Sequence, residues 1–261
     1  MGAPELVGHK SEEDGVEVLT LRHPPVNALS TALLAELSAR LDALEANPGA
    51  RALIITGDGQ YFSGGADLKE LATLDLARAP AIVERGQHLF SRIESLRVPV
   101  VAAINGLAVG GGLELALACD LRVAGESAKL GLPEVTFGLM PSYGGTQRLP
   151  RLIGVAKAKE LIFSGALVAT PEALRIGLVN KAVPSGQELR AARDLAHTIA
   201  QRAPRAVQGA KLAIREGLAL PLSEGLRVEA KTFEREVLPS DDLMEGLSAF
   251  IERRPPKFQG K

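Results

Sequence analysis

Cysteine occurs once in the 261 residues, at Cys119, tryptophan is absent, and only two tyrosines and seven phenylalanines are present. A single thiol excludes an internal disulfide, so the fold owes nothing to an oxidising compartment. The cysteine cluster of a structural zinc site is missing as well. His9, His23, His88 and His197 are scattered without metal-ligand spacing. A surplus of one charge is also lacking, because 30 basic and 31 acidic residues leave a net charge of −1. That balance gives no electrostatic case for nucleic acid or an anionic membrane surface. The most apolar stretch, Val98 to Ala118, is broken by Asn105, four glycines and Glu114, a pattern unsuited to crossing a bilayer. The start, MGAPELVGHKSEED, has no charged segment leading into an apolar run, and Leu6 stands where a myristoylation signal wants Ser or Thr. The cytosol is the expected address.

What is present is a chain that is 46% hydrophobic, long enough for one large domain with or without a small appendage. Val16–Leu21 and Ala52–Thr56 read as β-rich runs. Between them, Thr31–Ala46 places leucines at helical spacing and is closed by Asn47-Pro48-Gly49. Pro99–Ile104 is a continuous apolar run suited to a strand covered on both faces. Gly111–Cys119 follows as a helix and Leu121–Ala124 as a fourth strand. This alternation predicts an α/β unit with a largely parallel sheet. Beyond Gly154 the pattern turns helical, over Ala156–Ser164, Pro171–Ile176, Gln187–Arg202, Pro204–Gly217, Leu222–Val237 and Asp241–Glu252, with one last strand at Val179–Val183. The basic tail, ERRPPKFQGK, reads as an extended, solvated end.

Three constellations carry chemistry. The first, Phe62-Ser63-Gly64-Gly65-Ala66-Asp67-Leu68-Lys69, could bring its backbone close to a ligand. It is equally readable as an ordinary strand-to-helix turn capped by Asp67. In the second, Asn105 to Glu114, a buried strand runs through Gly110-Gly111-Gly112 into a helix. First-turn N–H groups have no partner inside a helix, and the helix dipole adds positive charge there, so an oxyanion is favoured. Neither a G-x-G-x-x-G nor a Gly-Lys-Ser/Thr can be read at this loop, which leaves an oxyanion site rather than a nucleotide loop. The third is a pair of carboxylates. Glu114 stands in an otherwise apolar helix, and Glu134 sits among small and apolar neighbours twenty residues on. Either alone could be a structural acid with a satisfied partner. Two of them beside an oxyanion loop point to proton transfer.

The runs FSGGADLKE, AAINGLAVGGGLELALACDLRVAGESAKLGLPE and GLMPSYGGTQRLPRLIG resemble the crotonase superfamily and are most similar to enoyl-CoA hydratases. The likeness extends from HPPVNALS to ERRPPKF. It implies an α/β spiral of ββα units over residues 1–195 and a C-terminal helical region over 196–261 that forms trimers, often paired into hexamers. It implies water addition across the 2,3 double bond of a 2-enoyl-CoA, as in fatty-acid β-oxidation, with coenzyme A as part of the substrate and no separate cofactor or metal. Residue by residue, the resemblance assigns the oxyanion hole to the backbone N–H groups of Ala66 and Gly111 and the catalytic pair to Glu114 and Glu134. It assigns coenzyme A contacts to Gly64 and Leu68 through their backbones and to Lys69. It gives Ser142 a backbone contact to the water, and a basic residue of the tail a reach toward a neighbour's CoA phosphates. Tyr143 stands where many hydratases have a small residue, which opens the question of acyl preference.

The alternatives lie within and beyond this superfamily. A Δ3,Δ2-enoyl-CoA isomerase needs only one base, at the Glu134 position, so a retained Glu114 favours the hydratase. Hydratases of branched or dicarboxylic enoyl-CoAs share the same motifs. An RNA-binding branch uses a lysine-rich helix, but Thr31–Ala46 has Arg40 as its only basic residue. A non-catalytic scaffold would often have lost one or both glutamates. A serine hydrolase is disfavoured, since Ser63 and Ser142 lack a G-x-S-x-G elbow.

Overall fold

The computed structural model describes residues 5–73 and 75–261. Its strands are β1 (Val7–Ser11), β2 (Val16–Leu21), β3 (Ala52–Gly57), β4 (Tyr61–Ser63), β5 (Val100–Ile104), β6 (Leu107–Val109), β7 (Leu121–Gly125), β8 (Lys129–Gly131), β9 (Val168–Ala169) and β10 (Lys181–Val183). The helices are α1 (Thr31–Glu45), α2 (Leu68–Ala72), α3 (Ala79–Ser95), α4 (Gly111–Ala118), α5 (Gly145–Ile153), α6 (Val155–Ser164), α7 (Thr170–Arg175), α8 (Glu188–Ala200), α9 (Pro204–Gly217), α10 (Leu222–Thr232) and α11 (Asp241–Glu252).

The strands form two sheets, one in the order β1-β2-β3-β5-β7-β10 and one in the order β4-β6-β8-β9. In the large sheet only β1 runs antiparallel to its neighbour, as strand-helix alternation predicts. The repeating unit is a long strand, a short strand and a helix. It occurs as β3-β4-α3, β5-β6-α4 and β7-β8-α5, so each long strand joins the large sheet and each short one the small sheet. The two sheets therefore rise together, one ββα unit per turn of the spiral.

The continuous apolar runs follow from this layering. Leu53, Ile55, Val100 and Ala102 point into the main core with α1, α3 and α4. Ala52, Ile54, Val101 and Ala103 point the other way, onto Ala191, Ala192 and Ala196 of α8. A strand covered on both faces has no solvent side on which to place polar residues. Helix α8 crosses position 195/196 and lies on the large sheet as one piece.

Local chemistry sets several helix ends. Ser30 caps α1 by accepting the Leu33 N–H at 3.2 Å, and Ser240 caps α11. Pro204 opens α9 at a position where the N–H that proline lacks would have had no partner inside the helix. Helix α10 runs into one turn of π-helix at Phe233–Val237. The tail departs from the expected solvated end. Asp242 accepts the N–H groups of Gln259 and Gly260, both at 2.7 Å, and Arg254 pairs with Glu245 and Glu252. The tail is extended, but it is tied down along α11. Among the described residues no helix is long and apolar enough to cross a membrane.

Candidate active site

The spiral brings the two glycine-rich turns into direct contact. Gly65, with φ +88°, has no room for a side chain, because a Cβ there would lie 2.7 Å from the Val109 carbonyl oxygen and 3.1 Å from the Gly111 nitrogen. A Cβ on Gly111 would in turn lie 3.6 Å from the Ala66 nitrogen. The surrounding backbone groups are taken. Gly64 N–H donates to Val26 O at 2.7 Å and Gly110 N–H to Gly131 O at 2.9 Å, while Gly65 N–H donates to Ser63 Oγ at 3.2 Å. Among the described residues the Ala66 and Gly111 N–H groups make no such bond. Gly110 makes this possible, since its φ of 54° and ψ of −131° turn the chain into α4 through a conformation that a side chain would resist.

Every residue of α4 is buried. Glu114 is 2% exposed and its Oε1 accepts two backbone N–H groups, from Tyr143 at 2.8 Å and Gly145 at 2.7 Å. Burial pushes its pKa up to about 7 against the pull of those donors, and the neighbouring Glu134 carboxylate adds to the rise. Glu134 begins a short 3-10 turn, Glu134–Phe137, directly after β8. A Cβ on Gly110 would lie 3.3 Å from its Oε1, so its carboxyl rests on the glycine turn. Its Oε2 is buried without a hydrogen-bond partner among the described residues, and burial raises its pKa too. An oxygen buried without a donor disfavours the ionised form of the carboxyl. Two free N–H groups and two carboxyls of raised pKa thus converge on one site.

The remaining predicted contacts lie around it. Gly64 is behind the turn and its N–H is spent on Val26. Leu68 and Lys69 are exposed on the first turn of α2, which Asp67 caps by accepting the Lys69 and Glu70 N–H groups. Ser142 is half-buried, with its carbonyl held by Gln87 Nε2 at 2.8 Å. Tyr143 stacks edge-on against Phe90, with ring centres 5.5 Å apart at 83°. It also walls a cavity of about 310 Å³ together with Leu29, Leu34, Ala66, Glu70 and Leu71. A larger cavity of about 680 Å³ lies between α9 and α10, among Ile214, Leu218, Leu222 and Phe233, and includes neither glutamate. Cys119 is a buried core residue whose thiol is pushed up to about 12 by burial.

The profile of the enoyl-CoA hydratase/isomerase family matches residues 11–261. The chain belongs to this family. It is 45% identical over 248 residues to a probable enoyl-CoA hydratase of Bacillus subtilis, covering 94% of this chain and 96% of that protein. It is 43% identical over 262 residues to the human mitochondrial methylglutaconyl-CoA hydratase, covering 98% of this chain and 77% of that protein. The crystal structure of an enoyl-CoA hydratase from Bacillus anthracis superposes with a TM-score of 0.95 at 42% identity, covering 98% of this chain and 100% of that one. This hydratase/isomerase is therefore an enzyme of acyl-CoA chemistry with the crotonase fold.

Sequence reasoning missed what holds the site. The amides of Tyr143 and Gly145 orient Glu114. Arg148 steadies that turn, donating from Nη1 to the Tyr143 carbonyl at 3.0 Å and from Nη2 to Glu94 at 2.9 Å. In the sequence, Arg148 stood only within the run GLMPSYGGTQRLPRLIG that carries the family resemblance, with no role of its own. Among the described residues no cluster of His, Cys, Asp and Glu could hold a metal ion.

Proposed function

We propose that this enzyme adds water across the 2,3 double bond of a 2-enoyl-CoA, giving a 3-hydroxyacyl-CoA. The observation that carries the reading is the convergence of two unspent N–H groups, at Ala66 and Gly111, on two carboxyls of raised pKa, Glu114 and Glu134. The thioester oxygen accepts from the two N–H groups, which draws electrons from the β-carbon and stabilises the enolate that forms next. Glu114, ionised and fixed by Tyr143 and Gly145, removes a proton from water as its oxygen bonds to the β-carbon. Glu134 gives its proton to the α-carbon as the enolate collapses, so H and OH add to the two carbons. Transfer of the proton from Glu114 to Glu134 through solvent restores the starting state. The two acids act as one coupled pair.

Coenzyme A enters as part of the substrate, with its carrier portion passing the backbone of Gly64 and Leu68 and its phosphates near the exposed Lys69. Ser142 supplies a backbone N–H toward the water. Breakdown of fatty acyl-CoAs in the cytosol is the setting this chemistry suits. The likeness to a methylglutaconyl-CoA hydratase supports a second reading in which the acyl group is branched or carries a second carboxylate. The only basic residue of α1, Arg40, donates to Val7 O, Glu5 and Glu36, which argues against an RNA-binding helix.

The test is a panel of straight, branched and carboxylated 2-enoyl-CoAs together with 3-enoyl-CoAs. Glu114→Gln and Glu134→Gln are each expected to lower water addition by about 10² to 10⁴-fold. Double-bond migration with no water addition, left intact in Glu114→Gln, would make this chain an isomerase instead.

A further inference from the structure

A brace of side chains stands behind the Ala66 amide. Asn27 is 2% exposed and holds φ at 52°, a conformation rare outside glycine. Its Nδ2 donates to the carbonyls of Asp58 at 2.9 Å and Tyr61 at 2.7 Å, and its Oδ1 accepts the His23 N–H at 3.0 Å. These bonds clamp the segment before α1 onto the turn that joins β3 to β4. The Asn27 carbonyl then accepts from Ser63 Oγ at 2.8 Å, and that fully buried hydroxyl accepts the Gly65 N–H at 3.2 Å. Since a hydroxyl has a single proton, donating it to Asn27 leaves a lone pair for Gly65.

The consequence is directional. Leu29 N–H donates to the Gly65 carbonyl at 2.8 Å. In a planar trans peptide the C=O and the following N–H point in opposite directions. Holding the Gly65 oxygen against Leu29 therefore aims the Ala66 N–H the other way, away from Leu29. Asn27 and Ser63 fix both ends of this linkage, one by placing Leu29 and the other by orienting the peptide before Gly65.

We propose that Asn27 and Ser63 are positioning residues for the reaction, setting the direction of the Ala66 donor at the thioester oxygen. This rests on the reading of Ala66 as an oxyanion donor. Neither side chain touches the reacting atoms, so the expected signature is a fall in kcat with little change in KM.

The probe is 4-(dimethylamino)cinnamoyl-CoA, whose absorption moves to longer wavelength when its carbonyl is polarised. Bound to the unaltered enzyme it is expected to show that displacement. Ser63→Ala is expected to bind the probe with a clearly smaller displacement. Its kcat for water addition should fall about 10- to 100-fold, less than complete loss of one donor costs, and its KM should stay within about threefold. Asn27→Asp, which keeps the acceptor for His23 and loses both donors, is expected to act the same way. Ser63→Cys fills the site with a weaker donor and serves if the alanine variant does not fold, with an intermediate loss expected. Unchanged displacement and kcat in the folded variants would overturn the positioning role. No displacement in the unaltered enzyme would instead overturn the oxyanion reading itself.

Discussion

Glu114 is bonded to two backbone N–H groups at 2.8 and 2.7 Å and yet titrates near neutrality. Burial outweighs the two donors, and that balance suits a base which must take a proton and release it. It also costs stability. The rise from an ordinary 4.5 to about 7 corresponds to a penalty on the order of 3 kcal/mol for the ionised form, at about 1.4 kcal/mol per tenfold change in proton affinity. Between those values the folded chain holds more proton at this site than the unfolded chain does. Stability from this group is therefore greatest below pH 4.5 and is lost as pH rises through 7. Glu114→Gln keeps an oxygen for Tyr143 and Gly145 but never ionises. Its stability relative to the unaltered enzyme is expected to improve from pH 5 to pH 8, read as urea midpoints. A gap that stays constant across that range would contradict the raised pKa.

At the scale of elements, the site depends on how closely α4 approaches β4. A Cβ on Gly112 would lie 2.3 Å from the Ser63 carbonyl oxygen and 2.8 Å from the Ser63 Cβ, so only glycine lets the helix sit against the strand. The helix carries Gly111 and Glu114, and the strand leads into Ala66. Gly112→Ala is expected to push the two apart, lowering stability by about 1–3 kcal/mol through overpacking and separating the two N–H donors. Thermal melting and the chromophore displacement measure these effects separately. A variant that melts and shifts the probe like the unaltered enzyme would show that the spacing tolerates more than the geometry implies. The short strands β4, β6 and β8 thus act as rails for the turns that follow them. Their three-residue length leaves too little periodicity to mark them in the sequence.

At the scale of the whole molecule, the C-terminal helices expose large apolar side chains, with Leu218 at 82%, Leu222 at 79% and Phe250 at 84%. Exposed apolar side chains of this size favour burial against another surface. We expect these faces to be covered by further copies of the chain, in a trimer or a pair of trimers. Sedimentation should show three or six chains. Leu218→Asp combined with Leu222→Asp should give a smaller species, and an unchanged sedimentation coefficient would move the interface elsewhere.

Much of the element order, and the residues proposed to react, could be read from the chain alone. Apolar runs buried on both faces of the large sheet, leucines at helical spacing in α1, Pro204 opening α9 and the glycine turns before Ala66 and α4 are local signals, each decided within a few residues. So were Glu114 and Glu134, because a carboxyl in an apolar setting is costly unless it is used. Strand β1 and helix α3 went unread. Helix α3 buries only Gly86, Leu89, Phe90 and Ile93 of its 17 residues, so its apolar stripe is short and confined to its second half. The orientation of the site came only with tertiary structure. The hydrogen bonds that aim Ala66 and hold Glu114 join residues as much as 36 positions apart, from Asn27 to Ser63 and from Glu114 to Tyr143 and Gly145. Spacing along a chain records local conformation, whereas the direction of an N–H or a carboxyl is set by partners that only folding brings within about 3 Å.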